Sequence, residues 1–429
     1  MHASLTRTRA ALAQRWSKLE PLALASRALL ELPDANADWD APPGIEPVRE
    51  PIRLSVGLPD PDSLPVRELR ASLERALAAP GDAALRYHFG PGYEPLREQL
   101  AQRCARDSGL AVDHDWFRLT NGSAGAIDLV CRALIEPGDV ILTEEPCYMG
   151  TLQNFRAVQA EIVPLPMDSA GLRADALGRA LDALAAQGRR AKLIYTSPSY
   201  QNPTGVAMPL ARRCEILEVA SGHDVLVLED DAYRELWFGE PPPPSLFELA
   251  EGHGVLAVGT FSKILATGLR VGWLLARPEW IELVGHMRFD MGQSVLVHRM
   301  LADFLERGEL DLHVARMRRL YAAKAATLCE ALAAHASPWL RSERPAGGFY
   351  LWLELRDGLT AEELRRRATR EGVAFPGGAS FFPGRRDPGG EHVRLAFPWV
   401  APSDLVESAR RLGLACAQRE RTAAARVPS

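Results

Sequence analysis

The chain has 429 residues, of which 47% are apolar and 24% charged, with a formal charge of -5 at neutral pH. That composition fits a soluble globular protein with room for two or more packed cores. It offers no basic footprint for nucleic acid, and no apolar run approaches the ~20 residues of a membrane span. Six scattered cysteines without a C-x-x-C pair suit buried thiols of a reducing, cytoplasmic compartment, and ten histidines without an H-E-x-x-H motif give metal catalysis no support, so a small-molecule partner is expected.

The first segment, "LTRTRAALAQRWSKL", is Arg-rich and acid-poor, as a transit peptide would be, but it also reads as an amphipathic helix continued by "EPLALASRALLEL". The Pro-rich, acidic "PDANADWDAPPGIEPVREP" follows as an irregular linker. Residues 1–51 are thus expected to form an N-terminal helix and arm packing with a small domain. From about residue 115, short apolar strands ("WFRLT", "DVILTEEP", "AKLIYTSP", "VLVLEDD", "VLAVGTFS", "VGWLLA") alternate with helical patterns. This alternation predicts an α/β fold, a mostly parallel sheet flanked by helices, over a large domain spanning 52–295. Beyond it, long helices and the strands "GGFYLWLEL" and "VRLAFPW" predict a smaller α+β domain over 296–429.

In such sheets ligands gather outside the carboxyl ends of the strands, and four segments there carry chemistry. "TFSKILATGLRVGW" places Ser262, Lys263 and Arg270 between two apolar runs; alone, it is a surface turn with two solvated cations. If Lys263 is a nucleophile that forms an imine with an aldehyde cofactor, three further features are required: a phosphate cradle, an acid for a heterocycle nitrogen and a group to hold the ring. "LTNGSAGAIDLV" runs from a strand into a helix whose first N–H groups, with the Ser123 hydroxyl, can bind phosphate; equally it is a plain N-cap. "VLVLEDDAYREL" ends a buried strand on Glu229, Asp230 and Asp231, with Tyr233 close behind, or else forms a solvated acidic turn. "YTSPSYQNPTG" builds a turn in which Pro203 aims Asn202 at a ligand oxygen.

Together and in this order, these segments resemble the fold-type I pyridoxal-phosphate (PLP) enzymes, specifically class I/II aminotransferases. The match runs over about residues 52–400 and includes "LSVGLPDPDSLP", "EEPCYMG", "GGFYLWLEL" and "HVRLAFPWV". It looks most like the α-aminoadipate and kynurenine aminotransferase branch. The resemblance implies that Lys263 carries the cofactor and moves the substrate proton, Asp230 pairs with the pyridinium nitrogen, and Tyr233 and Asn202 bond the phenolic oxygen. Ser123, the Ala124 N–H, Thr260, Ser262 and Arg270 would hold the phosphate, and Tyr148 would stack on the ring. Tyr87 would reach the neighbouring subunit's phosphate, implying a homodimer. Arg394, helped by the backbone at Gly57, would clamp the substrate α-carboxylate.

Departures are modest: Thr267 and Ala232 stand where relatives more often carry proline, and Ala124 where many carry glutamine. His88 and Trp273 are expected near the site, as marks of an unusual substrate. The implied activity is amino transfer from an L-amino acid to a 2-oxo acid such as 2-oxoglutarate. The rivals are elimination, decarboxylation, cyclisation or oxidation on the same cofactor and, from another class, a regulator built on an aminotransferase-like domain.

Overall fold

In this computed structural model, residues 42, 44–78, 83–289, 292–384, 387 and 391–418 are described. The expected N-terminal helix and most of the arm lie outside them. The strands are β1 (Ile52–Arg53), β2 (Phe117–Thr120), β3 (Val140–Glu145), β4 (Glu161–Asp168), β5 (Gly171–Leu172), β6 (Ala191–Thr196) and β7 (Leu226–Asp230). There follow β8 (Val255–Thr260), β9 (Gly272–Leu275), β10 (Leu340–Arg341), β11 (Tyr350–Leu355), β12 (Val373–Ala374) and β13 (His392–Ala396).

Eight of these form one sheet in the order β2-β9-β8-β7-β6-β3-β4-β5. Its centre is parallel, with β3 pairing β4 and β6, and β7 pairing β6 and β8. β9 runs antiparallel to both β8 and β2. The central strands are buried on both faces, which is why they read as near-continuous apolar runs. Alternation still divides them: Leu142, Ile194, Val227 and Ala257 pack into one core, while Ile141, Leu193, Leu228 and Leu256 pack into another.

A second sheet, β10-β11-β13, is antiparallel and packs with the long helix Glu309–His335 and the helix Pro402–Ala417 in the same core. The chain enters through this layer. Val48 N–H donates to the Arg370 carbonyl, and β1 pairs in parallel with β12, Ile52 opposite Val373. The turn that follows is tied to the long helix: buried Lys324 donates to Asp60 across 2.5 Å, and the Asp60 N–H donates to the Tyr321 hydroxyl. Those bonds hold Val56, Gly57 and Leu58 against the carboxyl ends of the large sheet, where they line its central cavity. Among the described residues, no helix is long and apolar enough to cross a membrane.

Candidate active site

A cavity of about 420 Å³ opens at the carboxyl ends of the parallel strands. β3 supplies Glu144, β6 Tyr195, β7 Asp230 and β8 Thr260, so four neighbouring strands deliver polar groups to one place. Lys263 stands on the single helical turn Phe261–Ile264 directly after β8. The Thr260 hydroxyl caps that turn by accepting from the Ser262 N–H at 3.1 Å. Lys263 Nζ donates to the Gly57 carbonyl at 2.9 Å. Desolvation holds its ammonium below the ordinary lysine value, which favours the neutral, nucleophilic amine.

At the other end of the cavity, the helix Gly122–Leu134 begins with Gly122, Ser123 and Ala124. Its first N–H groups have no partner within the helix and concentrate positive potential. Arg270 reaches across to donate to the Asn121 carbonyl at 3.1 Å. It sits at φ 53°, the left-handed region, a strained choice for a residue with a side chain. A Cβ at Gly122 would come within 3.1 Å of the Arg270 guanidinium, and one at Gly272 would strike the Gly122 backbone. Close approach requires glycine at 272, while at 122 the backbone φ of 72° favours it. Thr260 and Ser262, joined hydroxyl to hydroxyl at 3.0 Å, complete a cradle for an anion.

The cavity also holds two buried carboxylates. Asp230 Oδ2 accepts from the Tyr195 hydroxyl at 2.8 Å and Oδ1 from the Ala232 N–H at 3.2 Å. Burial pushes its pKa up to about 6, against the pull of those bonds and of the Lys263 charge. Glu144 accepts from the Thr196 hydroxyl at 2.5 Å, the Ser197 N–H at 3.2 Å and Gln201 Nε2 at 3.2 Å, and burial pushes it up to about 7. The neighbours of Asp230 serve elsewhere: Glu229 accepts from the Leu246 and Phe247 N–H groups, and Asp231 lines a different, smaller cavity.

Arg394 is fully buried. It donates to Asn202 Oδ1 at 3.0 Å and to the Ser55 carbonyl at 2.9 Å, with its guanidinium 4.3 Å from the Tyr350 ring centroid. Arg394 lies just behind the cavity wall, to which Asn202 and Tyr350 both belong. Tyr233 and Tyr350 share a 2.9 Å hydrogen bond between their hydroxyls.

The sequence model of the family described as "Aminotransferase class I and II" matches residues 49–412. The chain belongs to this aminotransferase family. It is 38% identical to the 2-aminoadipate transaminase of Thermus thermophilus over 375 residues, 85% of this chain and 89% of that one. A solved kynurenine aminotransferase from Pyrococcus horikoshii superposes with a TM-score of 0.82 at 31% identity, covering 94% of this chain and 97% of that one. The α-aminoadipate aminotransferase LysN of Thermus thermophilus, solved with N-(5'-phosphopyridoxyl)-L-leucine, gives a TM-score of 0.77 at 34% identity, covering 90% and 97%. Relatives described as HTH-type transcriptional regulators are 27–30% identical, and the chain spans 69–75% of their length.

The protein is a PLP-dependent aminotransferase of fold type I. The residues present fit that cofactor: an amine of lowered basicity, an anion cradle that a Cβ at Gly122 would crowd, and a buried carboxylate share one cavity. Twelve of the residues named from sequence divide as follows in this aminotransferase. Gly57, Ser123, Ala124, Tyr148, Asn202, Asp230, Tyr233, Thr260, Ser262, Lys263 and Arg270 line the cavity, and Arg394 adjoins it. Tyr87 does not; it is 75% exposed and stands away from the cavity in this single chain. His88 and Trp273, expected near the site, are also absent from the lining. His88 packs edge-on to Tyr93, and Trp273 turns to the opposite face of β9 from Gly272, against Phe261. Sequence reading passed over Glu144, Tyr195, Gln201 and Tyr350. Tyr195 and Glu144 had a usable signal, since each stands at the carboxyl end of a strand already read as parallel.

Proposed function

We propose that Lys263 is the residue to which PLP attaches and the base that moves the substrate α-proton. Asp230 faces the ring nitrogen, Tyr233 and Asn202 bond the phenolic oxygen, and Tyr148 covers the ring. Ser123, the Ala124 N–H, Thr260, Ser262 and Arg270 bind the phosphate, and Arg394 with Gly57 receives the substrate carboxylate. When bound, PLP supplies an aldehyde for capture by an amine and a ring that withdraws electrons from the substrate Cα. The observation that carries this reading is that Lys263 lines the same cavity as Asp230 and the Gly122–Ala124 cradle. Lowered basicity favours Lys263 as nucleophile and base, and the fixed donors of Arg394 orient the substrate.

For substrates, Val56, Leu58 and Tyr148 give the cavity an apolar, aromatic side, which favours large or long amino acids as donors, with 2-oxoglutarate as acceptor. The names 2-aminoadipate transaminase and kynurenine aminotransferase of the relatives agree in size class. We further propose a homodimer in the cytoplasm, in which Tyr87 serves the neighbouring subunit's site. Exposed Leu85, Tyr87 and Phe89 supply apolar surface for that contact, and the described cysteines are free.

Borohydride reduction of the yellow holoenzyme followed by peptide mapping should place the cofactor on Lys263, and Lys263→Ala should lose turnover. Normal turnover in that variant would overturn the assignment. A single-turnover reaction with an amino acid should leave pyridoxamine phosphate; its absence, with product formed, would favour elimination or decarboxylation instead.

A further inference from the structure

Tyr350 connects two parts of the site that the roles above keep separate. It begins β11, and Arg394 lies on β13 opposite Trp352, so Tyr350 and Arg394 are diagonal neighbours on one face of the small sheet. The Tyr350 ring lies under the Arg394 guanidinium at 4.3 Å, and its hydroxyl bonds that of Tyr233 at 2.9 Å.

Its position is over-determined. A Cβ at Gly57 would collide with the Tyr350 hydroxyl, and one at Gly205 would come within 3.1 Å of its carbonyl. Gly348, at φ 75°, lets the chain pass under Tyr200, where a Cβ would come within 2.8 Å of that side chain. The phenol is 2% exposed, yet it lines the cavity.

We propose that Tyr350 is a positioning residue of the amino-transfer site: its hydroxyl aims that of Tyr233 at the cofactor while its ring holds Arg394, joining the cofactor and carboxylate ends of the cavity through one side chain. The proposal rests on the role given above to Tyr233. A buried hydroxyl that accepts from one neighbour becomes a better donor to the next. With Tyr350 donating to Tyr233, Tyr233 is left to donate to the phenolic oxygen of PLP, favouring the unprotonated chromophore. The ring does a different task, since a desolvated guanidinium over an aromatic face is held by the ring's quadrupole.

The test uses holoenzyme and two readouts, the pH titration of the bound cofactor's absorbance and the KM for amino donors. Tyr350→Phe keeps the ring and removes the hydroxyl. Its absorbance should titrate about half to one pH unit higher than wild type, the size of one modest hydrogen bond, with KM changed less than about twofold. Tyr350→Ala should in addition raise KM about 3- to 30-fold, through the lost cation–ring contact. Tyr233→Phe should shift the titration further than Tyr350→Phe, and the double variant should match Tyr233→Phe alone. A wild-type titration in Tyr350→Phe, with Tyr233→Phe shifted, would overturn the proposal by itself, as would full additivity in the double variant. An unshifted Tyr233→Phe would overturn the reading of Tyr233 and this proposal together.

Discussion

Tyr195 donates its phenol hydrogen to Asp230 Oδ2 across 2.8 Å, joining the carboxyl ends of two adjacent parallel strands. The same hydroxyl accepts from Thr151 at 3.2 Å, so its orientation is set from the helix Met149–Ala157 and its donor capacity is committed to the carboxylate. Asp230 is thereby presented to the cavity as an oriented acceptor that stays ionised more readily than burial alone would allow. Asp230→Asn should lower kcat by at least about 10²- to 10³-fold, the scale of one lost preorganised electrostatic partner. Tyr195→Phe should cost about tenfold, as one hydrogen bond to a charged group. Asp231→Asn should stay near wild type, because Asp231 lines another cavity. Steady-state kinetics decide it: a large loss in Asp231→Asn alone would show that the wrong carboxylate was assigned.

The anion cradle makes a separate prediction about affinity. Arg270→Ala should weaken PLP retention about 10- to 100-fold, as charge-assisted bonds are lost. Gly122→Ala should weaken it as well, because the added methyl meets the Arg270 guanidinium in a backbone conformation at φ 72° that favours glycine. Equilibrium dialysis of the apoprotein against PLP measures both. Unchanged affinity in Arg270→Ala would remove it from the phosphate site.

The chemistry at strand ends was legible because a parallel sheet concentrates it there. Lys263, Asp230 and the Gly122–Ala124 turn were each ambiguous alone and informative in order. A mostly parallel sheet leaves the direction of "VGWLLA" open. The connection 261–271 is too short for a parallel crossover, and β9 turns back antiparallel. That reversal carries Gly272 to the cradle and swings Trp273 to the other face. The Tyr195–Asp230 and Tyr233–Tyr350 bonds join residues 35 and 117 positions apart, the latter across two sheets. No local pattern encodes such partnerships; the first follows from the pairing of β6 with β7, the second from where the small sheet docks.

Glu144 predicts a pH dependence of stability. Its folded pKa of about 7 lies above the ordinary 4.5, so between these values the folded state keeps a proton that the unfolded chain has released. Its contribution is greatest below pH 4.5 and is lost as pH rises through about 7, with a slope of at most about 1.4 kcal/mol per pH unit. Glu229 and Asp230, raised to about 8 and about 6, act in the same direction. Glu144→Gln keeps the shape and removes one titration. The stability difference between wild-type and Glu144→Gln apoprotein, from denaturant unfolding at pH 5, 6, 7 and 8, should move toward the variant as pH rises. A difference that is flat across that range would rule out Glu144 as the titrating group.

The Arg394 guanidinium is buried and held by Asn202 and Ser55, so its donors are oriented before any substrate arrives. A carboxylate common to every amino acid and 2-oxo acid is the natural partner for a planar, prepositioned fork, whereas side chains differ too much to share one. Arg394→Lys retains the charge but cannot bond Asn202, Ser55 and a carboxylate in the same plane. It should raise KM about 10- to 100-fold, by the same proportion for short, long and aromatic donors, since a lost bidentate contact removes orientation as well as attraction. Asn202→Ala should shift KM in the same uniform direction by a smaller factor, because Arg394 keeps its bond to the Ser55 carbonyl. The measurement is KM across a donor panel for wild type and both variants. If one donor were lost while the others kept wild-type KM, Arg394 would be reading the side chain, and the carboxylate would have to be bound elsewhere in the cavity.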